Sequence, residues 1–309
     1  MPRRYLEEFE TFGEGLTAVE KTSGKAFDTT PHNFFVEKHL NTVDFFDGSK
    51  DQSSLENFFN LIETDYLARI SAVRRGEVTA TEIDYFVTMA LHQLVRTPRV
   101  RQQLADLMLA FDQRGLLGAF GDQLSELEEA TLEAARTGNK AARNQLGMMV
   151  SGHTMMASGA LLEGMGFAFL CGNQGLNLIT CDNPAIVSGL KIEGRSCTAA
   201  LPTLGVRRVL IYPIAPDVLL YGSTTLKSGS GFVVFKDANK LTKSMINSVN
   251  SFVGLSADRF ILLPKNNPAL PSFCYRNRLS DAQQTLRIFK GVYSQSICDV
   301  TKRLDRLFL

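Results

Sequence analysis

Through the first half of the chain, apolar residues recur every three or four positions. Leu55, Phe58, Phe59, Ile62, Tyr66, Ile70 and Val73 form one such helical stripe. Ser53-x-x-Glu56 opens it as a capping box, and Gly76 closes it. A second capping box, Thr79-x-x-Glu82, introduces the stripe Ile83, Phe86, Val87, Ala90, Leu91 and Leu94. Thr97-Pro98 reads as an N-cap with proline at the first helical position. The helix it starts carries Val100, Leu104, Leu107 and Phe111. "SELEEATLEAAR" predicts a fourth helix, and the stretch from Ala141 to Leu170 a long fifth one weakened by glycines. Before these, Arg3 to Phe9 reads as a helical turn. "LTAVEK" and "KAFDT" read as a hairpin, and "PHNFFVEKHL" as helical.

After Gly172 the apolar residues gather into short runs: "LNLITC", "RRVLIYPI", "VLLYGS", "GFVVFK" and "RFILLP". Turn residues separate them, and "KSGSG" reads as a hairpin turn. One helix, "ANKLTKSMINSVNSFVG", with Asp237 as its start, interrupts the series, and the end of the chain reads as helical. Helices followed by strands predict an α+β fold, a helical N-terminal part packed on a C-terminal mixed or antiparallel sheet. The expected organisation is a single compact domain over 1–309. It has a hairpin and helix entry (1–50), a mainly helical part (51–171) and a β-rich part with flanking helices (172–309).

Composition narrows the class. A net charge of +1 opposes a chain that coats a polyanion through its overall charge. Cys171, Cys181, Cys197, Cys274 and Cys298 are scattered and form no C-x-x-C pair. That opposes a zinc knuckle and a disulfide framework, and it predicts a reduced, cytoplasmic setting. The most apolar window, "MMASGALLEGMGFAFLCG", carries Glu163 and several glycines, which predicts a buried core helix and no membrane span.

Five segments together resemble the bacterial family known as domain of unknown function 4238. Its N-terminal signature resembles H-x-x-P-x-x-x-L-x-x-F, matched here by Pro2, Leu6 and Phe9; the histidine has no counterpart, because the chain begins one residue before the proline. "LENFFNLIETDYLARI" places Glu63 at the glutamate such proteins carry. "RTPRVR" resembles their R-x-P segment, "LITCDNPAIV" their F-I-T-S-D-N-P-V, and "IYPIAPDVLLYG" a strand ending in P-L-S-P. The resemblance supplies no activity.

Several residues carry candidate chemistry. Glu63 sits on or beside its apolar stripe, where a buried carboxylate needs an arginine, a metal or a proton. A structural ion pair with Arg96 or Arg99 is the plain alternative. Tyr85, Thr88, His92 and Arg96 share a second helix face. There an imidazole and a guanidinium side by side suit phosphate binding with proton transfer, or the face is simply solvated. Arg99 and Arg101 lie near a helix N-terminus, which favours anions. Asp182 and Asn183 end a strand before Pro184; they form either a turn or a pair of oxygen donors for a hard cation. His153 reads as a core histidine. His32 and His39 are seven apart, which does not suit a metal pair. No P-loop, H-E-x-x-H or G-x-S-x-G motif is present.

Three readings follow. The first is a metal-dependent phosphodiester hydrolase, nuclease-like, acting as a toxin or defence effector. In it Glu63 and Asp182 hold Mg²⁺ or Mn²⁺, His92 moves protons, and Arg96, Arg99 and Asn183 hold the substrate, a nucleic acid or a small phosphate-bearing ligand. The second is a non-catalytic binding or regulatory protein, for instance a homodimer through an apolar patch, whose polar residues are structural. The third is a metal-free enzyme on a small anion.

Overall fold

Arg207–Ala215 shows why the second half forms strands: its side chains alternate between two buried faces. Val209 and Ile211 enter one hydrophobic core, while Leu210, Tyr212 and Ile214 enter another. In this computed structural model the residues described are 3–10, 14–34, 43–44, 50–51, 60–96, 98–114, 126–139, 142–148, 162, 164–172, 178–193, 196–200, 206–226, 240–265, 298–299 and 301–304. In chain order the elements begin with α1 (Arg3–Phe9), β1 (Leu16–Glu20), β2 (Ala26–Thr29), β3 (Val43–Asp44) and β4 (Lys50–Asp51). The helical layer follows: α2 (Tyr66–Arg74), α3 (Ala80–Arg96), α4 (Pro98–Gln113) and α5 (Glu126–Arg136). Then come β5 (Gly166–Gly172), β6 (Thr180–Cys181), β7 (Ile186–Glu193), β8 (Ser196–Ala200), β9 (Arg207–Ala215) and β10 (Val218–Ser223). Last are β11 (Lys240–Leu241), α6 (Lys243–Ser256) and β12 (Phe260–Pro264).

The fold is α+β. The larger sheet has the order β11-β5-β10-β9-β7-β8 and is antiparallel except where β11 pairs with β5; a smaller one, β2-β1-β12-β6, is antiparallel, and β3 and β4 form an antiparallel pair of their own. Helices α1, α2 and α3 cover one face of the larger sheet. Tyr5, Leu6, Phe9, Tyr66, Ile70, Ile83 and Phe86 share a core there with Phe167, Phe169, Leu210 and Leu220. The opposite face packs on Ile246, Val249 and Phe252 of α6 and on residues of the smaller sheet, among them Val19 and Ile261. A third, smaller core joins α4, α5 and the helical stretch 142–148.

The expected capping box before α3 is present. The Glu82 carboxylate accepts the Thr79 backbone N–H at 3.0 Å and also the Thr79 hydroxyl, which in turn accepts the Thr81 N–H at 3.2 Å. Pro98 does open α4.

Other expectations need correction. The helix drawn from Leu55 through Val73 is broken by a turn at Thr64 and Asp65, and Tyr85 donates from α3 to the Ile62 carbonyl at 2.8 Å beside that break. The buried face of α4 is Arg101, Ala105, Met108 and Leu109, one position round from the predicted stripe; Leu107 is 47% exposed. No long helix runs from Ala141 to Leu170: 142–148 is helical, but Gly166–Gly172 is β5, paired with β10. Its apolar run is buried on both faces, so periodicity does not separate strand from helix there. Strands β7 and β8 lie outside the expected runs, and among the described residues of "LNLITC" only Thr180–Cys181 join a ladder. Helix α6 begins at Thr242, whose hydroxyl accepts the Met245 N–H at 3.3 Å. Cys298 is disulfide-bonded, a pairing the scattered cysteine spacing did not announce. Ser53, Glu56, His39, His153, Asp237, "GFVVFK" and "KSGSG" lie outside the described residues.

Pro213 interrupts the middle of β9, and the β9–β10 register shifts between Val218 and Leu219. Two buried phenols serve the carbonyls there: Tyr5 donates to Pro213 O at 2.9 Å and Tyr66 to Ile214 O at 2.5 Å. Tyr66→Phe keeps the ring but strands the Ile214 carbonyl. It is expected to cost about 1–3 kcal/mol, read as a lower urea midpoint at unchanged m.

The capping box has a pH signature. Burial opposes ionisation of Glu82, but the Thr79 hydroxyl and N–H, helped by Arg69, hold its carboxyl below the ordinary 4.5. A depressed folded value stabilises above 4.5, and that contribution fades as pH falls through the folded value. The Tm difference between wild type and Glu82→Gln is therefore expected to shrink between about pH 6 and about pH 3.

Candidate functional site

Asp182 follows the last residue of β6, and Pro184 keeps Asn183 from continuing as helix. Its backbone N–H bonds to the Phe260 carbonyl at 3.1 Å, which fixes it against the corner between α6 and β12. The carboxylate then accepts three successive backbone N–H groups. Oδ1 takes Asp258 at 2.7 Å, and Oδ2 takes Arg259 at 2.6 Å and Phe260 at 2.9 Å. Three of a carboxylate's roughly four lone-pair positions are thereby used. Burial pushes this carboxyl above the ordinary aspartate range, against the pull of the three N–H donors. The carbonyl side of the same corner is served from β1. Lys21 Nζ donates to Leu255 O and Ala257 O, both at 2.7 Å, and the Lys21 N–H donates to Arg259 O at 2.7 Å. The Asp182 carboxylate thus ties two elements together. Asn183 differs, since its Oδ1 is buried with no hydrogen-bond partner.

Glu63 ends the helical stretch 60–63 and is buried, 7% exposed. Its carboxylate has an interaction partner and lies within electrostatic reach of the Tyr85 and Tyr212 phenols. Burial, followed by Tyr85 and Glu63, pushes the Tyr212 hydroxyl well above the ordinary range. Tyr212 stacks on Tyr5 at 5.7 Å between ring centroids. Tyr66 lies beside the Tyr212 hydroxyl but gives its own proton to Ile214, and the Tyr212 hydroxyl closes no hydrogen bond of good geometry.

A third polar group gathers at the elbow where α3 gives way to α4. His92 and Gln93 lie on the last turns of α3, and Arg101 lies on the first turn of α4; they are 7%, 2% and 3% exposed. His92 and Arg101 have interaction partners, whereas the Gln93 Nε2 has none. The stretch 142–148 approaches the first turn of α4 at Arg101. A Cβ at Gly147 would stand 2.2 Å from the Arg101 carbonyl oxygen, so only glycine allows that approach. Arg96 and Arg99 belong to the same elbow by backbone position, and their side chains lie outside the described residues.

The sequence candidates therefore fall into three neighbourhoods. Asp182 engages the α6–β12 corner, Glu63 the phenols over β9, and His92 the elbow that carries Arg96 and Arg99 in its backbone. Among the described residues no group of three or more His, Cys, Asp or Glu is arranged to hold a metal ion. Sequence reading passed over Lys21, Gln93 and Tyr212. Lys21 and Tyr212 sit in ordinary strand patterns, and only the position of Gln93 beside His92 was a usable signal.

Asp182→Ala leaves three N–H groups of one corner unsatisfied. A loss of about 2–4 kcal/mol is expected, with Tm lower by several degrees in a thermal melt.

No curated protein and no solved structure matches the chain. A family model described as "Protein of unknown function (DUF4238)" matches residues 1–265. The segments that carry the resemblance read in sequence, from Pro2 to "IYPIAPDVLLYG", fall within that match. The chain belongs to the DUF4238 family.

Proposed function

We propose that this protein is a binding or regulatory module without chemistry of its own, whose candidate polar residues are structural. The observation that supports this is the engagement of Asp182, one of the two sequence candidates for a metal ligand. Its oxygens face three N–H dipoles, whose positive ends would also face any cation placed there. Mg²⁺ or Mn²⁺ shared between Glu63 and Asp182 does not fit that donor set, and no step is routed through such an ion.

A second reading, a nuclease-like phosphodiester hydrolase in a toxin or defence role, is favoured by one observation. Glu63 is a carboxylate buried beside two phenols, the kind of environment in which reactive groups are tuned. In that reading Glu63 and His92 carry the chemistry, and Arg96, Arg99 and Asn183 hold the nucleic acid.

Labelled RNA and DNA incubated with Mg²⁺, Mn²⁺ or EDTA decide between the two. The binding reading expects no cleavage under any condition. Metal-dependent cleavage that disappears in a Glu63→Gln variant of unchanged Tm would overturn it in favour of the hydrolase.

A further inference from the structure

The end of the chain docks on the fold through a small apolar face. Cys298, Thr301 and Leu304 are buried and stand three apart, on one side of a helical turn. Cys298 and Leu304 enter the core that α6 shares with the larger sheet. Between them the Thr301 hydroxyl is buried with no hydrogen-bond partner, which opposes docking. Arg303 contacts the Ser244 hydroxyl on the first turn of α6 from an exposed position. Chain ends are poorly ordered unless something ties them down. Here the tie is covalent, because Cys298 is disulfide-bonded. Cys171 and Cys181 are free, so of the five cysteines only Cys197 and Cys274 are left as its partner. Closing a loop from either one restricts the undocked state more than the docked one, so the bond favours docking without adding a contact.

We propose that this disulfide is a redox latch: oxidised, it keeps 298–304 docked on α6, and reduced by a dithiol, it lets the stretch leave while the rest of the fold stands. The rest stands because α6 keeps Ile246, Val249 and Phe252 in the core, and its corner keeps the bonds from Lys21 and Asp182, none of which needs a cross-link. In the exchange, a thiolate of the dithiol attacks one sulfur of the bond, and the other sulfur leaves as a thiolate and takes up a proton. The second thiol of the reductant then displaces the protein from the mixed disulfide. The protein gains two thiols, and the reductant becomes a cyclic disulfide. Cys298 is 2% exposed, so attack on its own sulfur needs the stretch to lift from the core first. A reducing setting, the one the scattered cysteines predict, and an oxidising one thereby hold the stretch in different states. The latch stands apart from the binding reading, and nucleic-acid cleavage would leave it untouched.

The test uses the full chain, purified without reductant. Free thiols are alkylated under denaturing conditions and a non-reducing digest is mapped by mass spectrometry; Cys298 is expected in a peptide linked to Cys197 or Cys274. Hydrogen–deuterium exchange is then followed before and after treatment with dithiothreitol. Reduction is expected to speed exchange across 298–304 about tenfold or more and to leave α6 and β9 unchanged. Cys298→Ala is expected to exchange like reduced wild type with or without dithiothreitol, whereas Cys171→Ala, at a free cysteine, keeps the wild-type response. If Cys298→Ala does not fold, the comparison of oxidised with reduced wild type decides alone. A Cys298 found as a free thiol overturns the proposal, as does equal exchange of 298–304 in the two states. Loss of protection across α6 and the larger sheet on reduction also overturns it, because the bond is then a staple of the whole fold.

Discussion

The corner between α6 and β12 is held by two opposite charges, and much of the fold depends on that arrangement. A helix that ends and turns directly into a strand leaves carbonyls on one side and N–H groups on the other, all needing partners. Lys21 serves the carbonyls and Asp182 the N–H groups. Each stands one residue past the end of a strand that flanks β12 in the smaller sheet, Lys21 after β1 and Asp182 after β6. The bonds that close the corner therefore also set the register of that sheet. They press α6 against the back of the larger sheet, where Ile246, Val249 and Phe252 fill the core. Each fully buried apolar side chain of this size contributes about 1.5–3 kcal/mol, so holding α6 at the right angle matters more than any one bond in the corner.

The opposite face of the larger sheet uses neutral groups for a similar task. Pro213 and the shifted register disturb β9 where α1 and α2 dock, and the Tyr5 and Tyr66 hydroxyls restore the carbonyl bonds. Polar side chains thus join helix to strand on both sides of one sheet. Three phenols, Tyr5, Tyr66 and Tyr212, sit in a single apolar layer, and two of them donate to the strand backbone. Glu63 lies at the rim of that layer, which gives its carboxylate both desolvation and aromatic neighbours.

Local signals were legible in the sequence and distant pairings were not. The Thr79 and Glu82 box, Pro98 at the start of α4 and the β1–β2 hairpin were readable because their partners lie within a few residues. β5 was read as helix because a run buried on both faces has no period to betray it. β7 and β8 show no strand signal because "IVSGLKIE" and "SCTAA" mix small, polar and charged residues, and their strand character comes from pairing: β7 lies between β9 and β8, and β8 is the sheet edge. The role of Asp182 depends on groups 76 to 78 residues away, and no spacing rule reaches that far. In the elbow the arginines and His92 could be seen as a group, but the unsatisfied amide of Gln93 exists only once α3 has buried it.

The match to the family stops at residue 265, yet the fold does not. Cys298 and Leu304 lie in the same core as α6, Thr301 is buried beside them in sequence, and Arg303 contacts Ser244 at the first turn of that helix. The matched segment therefore leaves out residues that share the core of α6. A chain ended at 265 would lose Cys298 and Leu304 from the core that α6 shares, together with the Arg303 contact at the first turn of that helix, so the packing of α6 reaches beyond the matched segment.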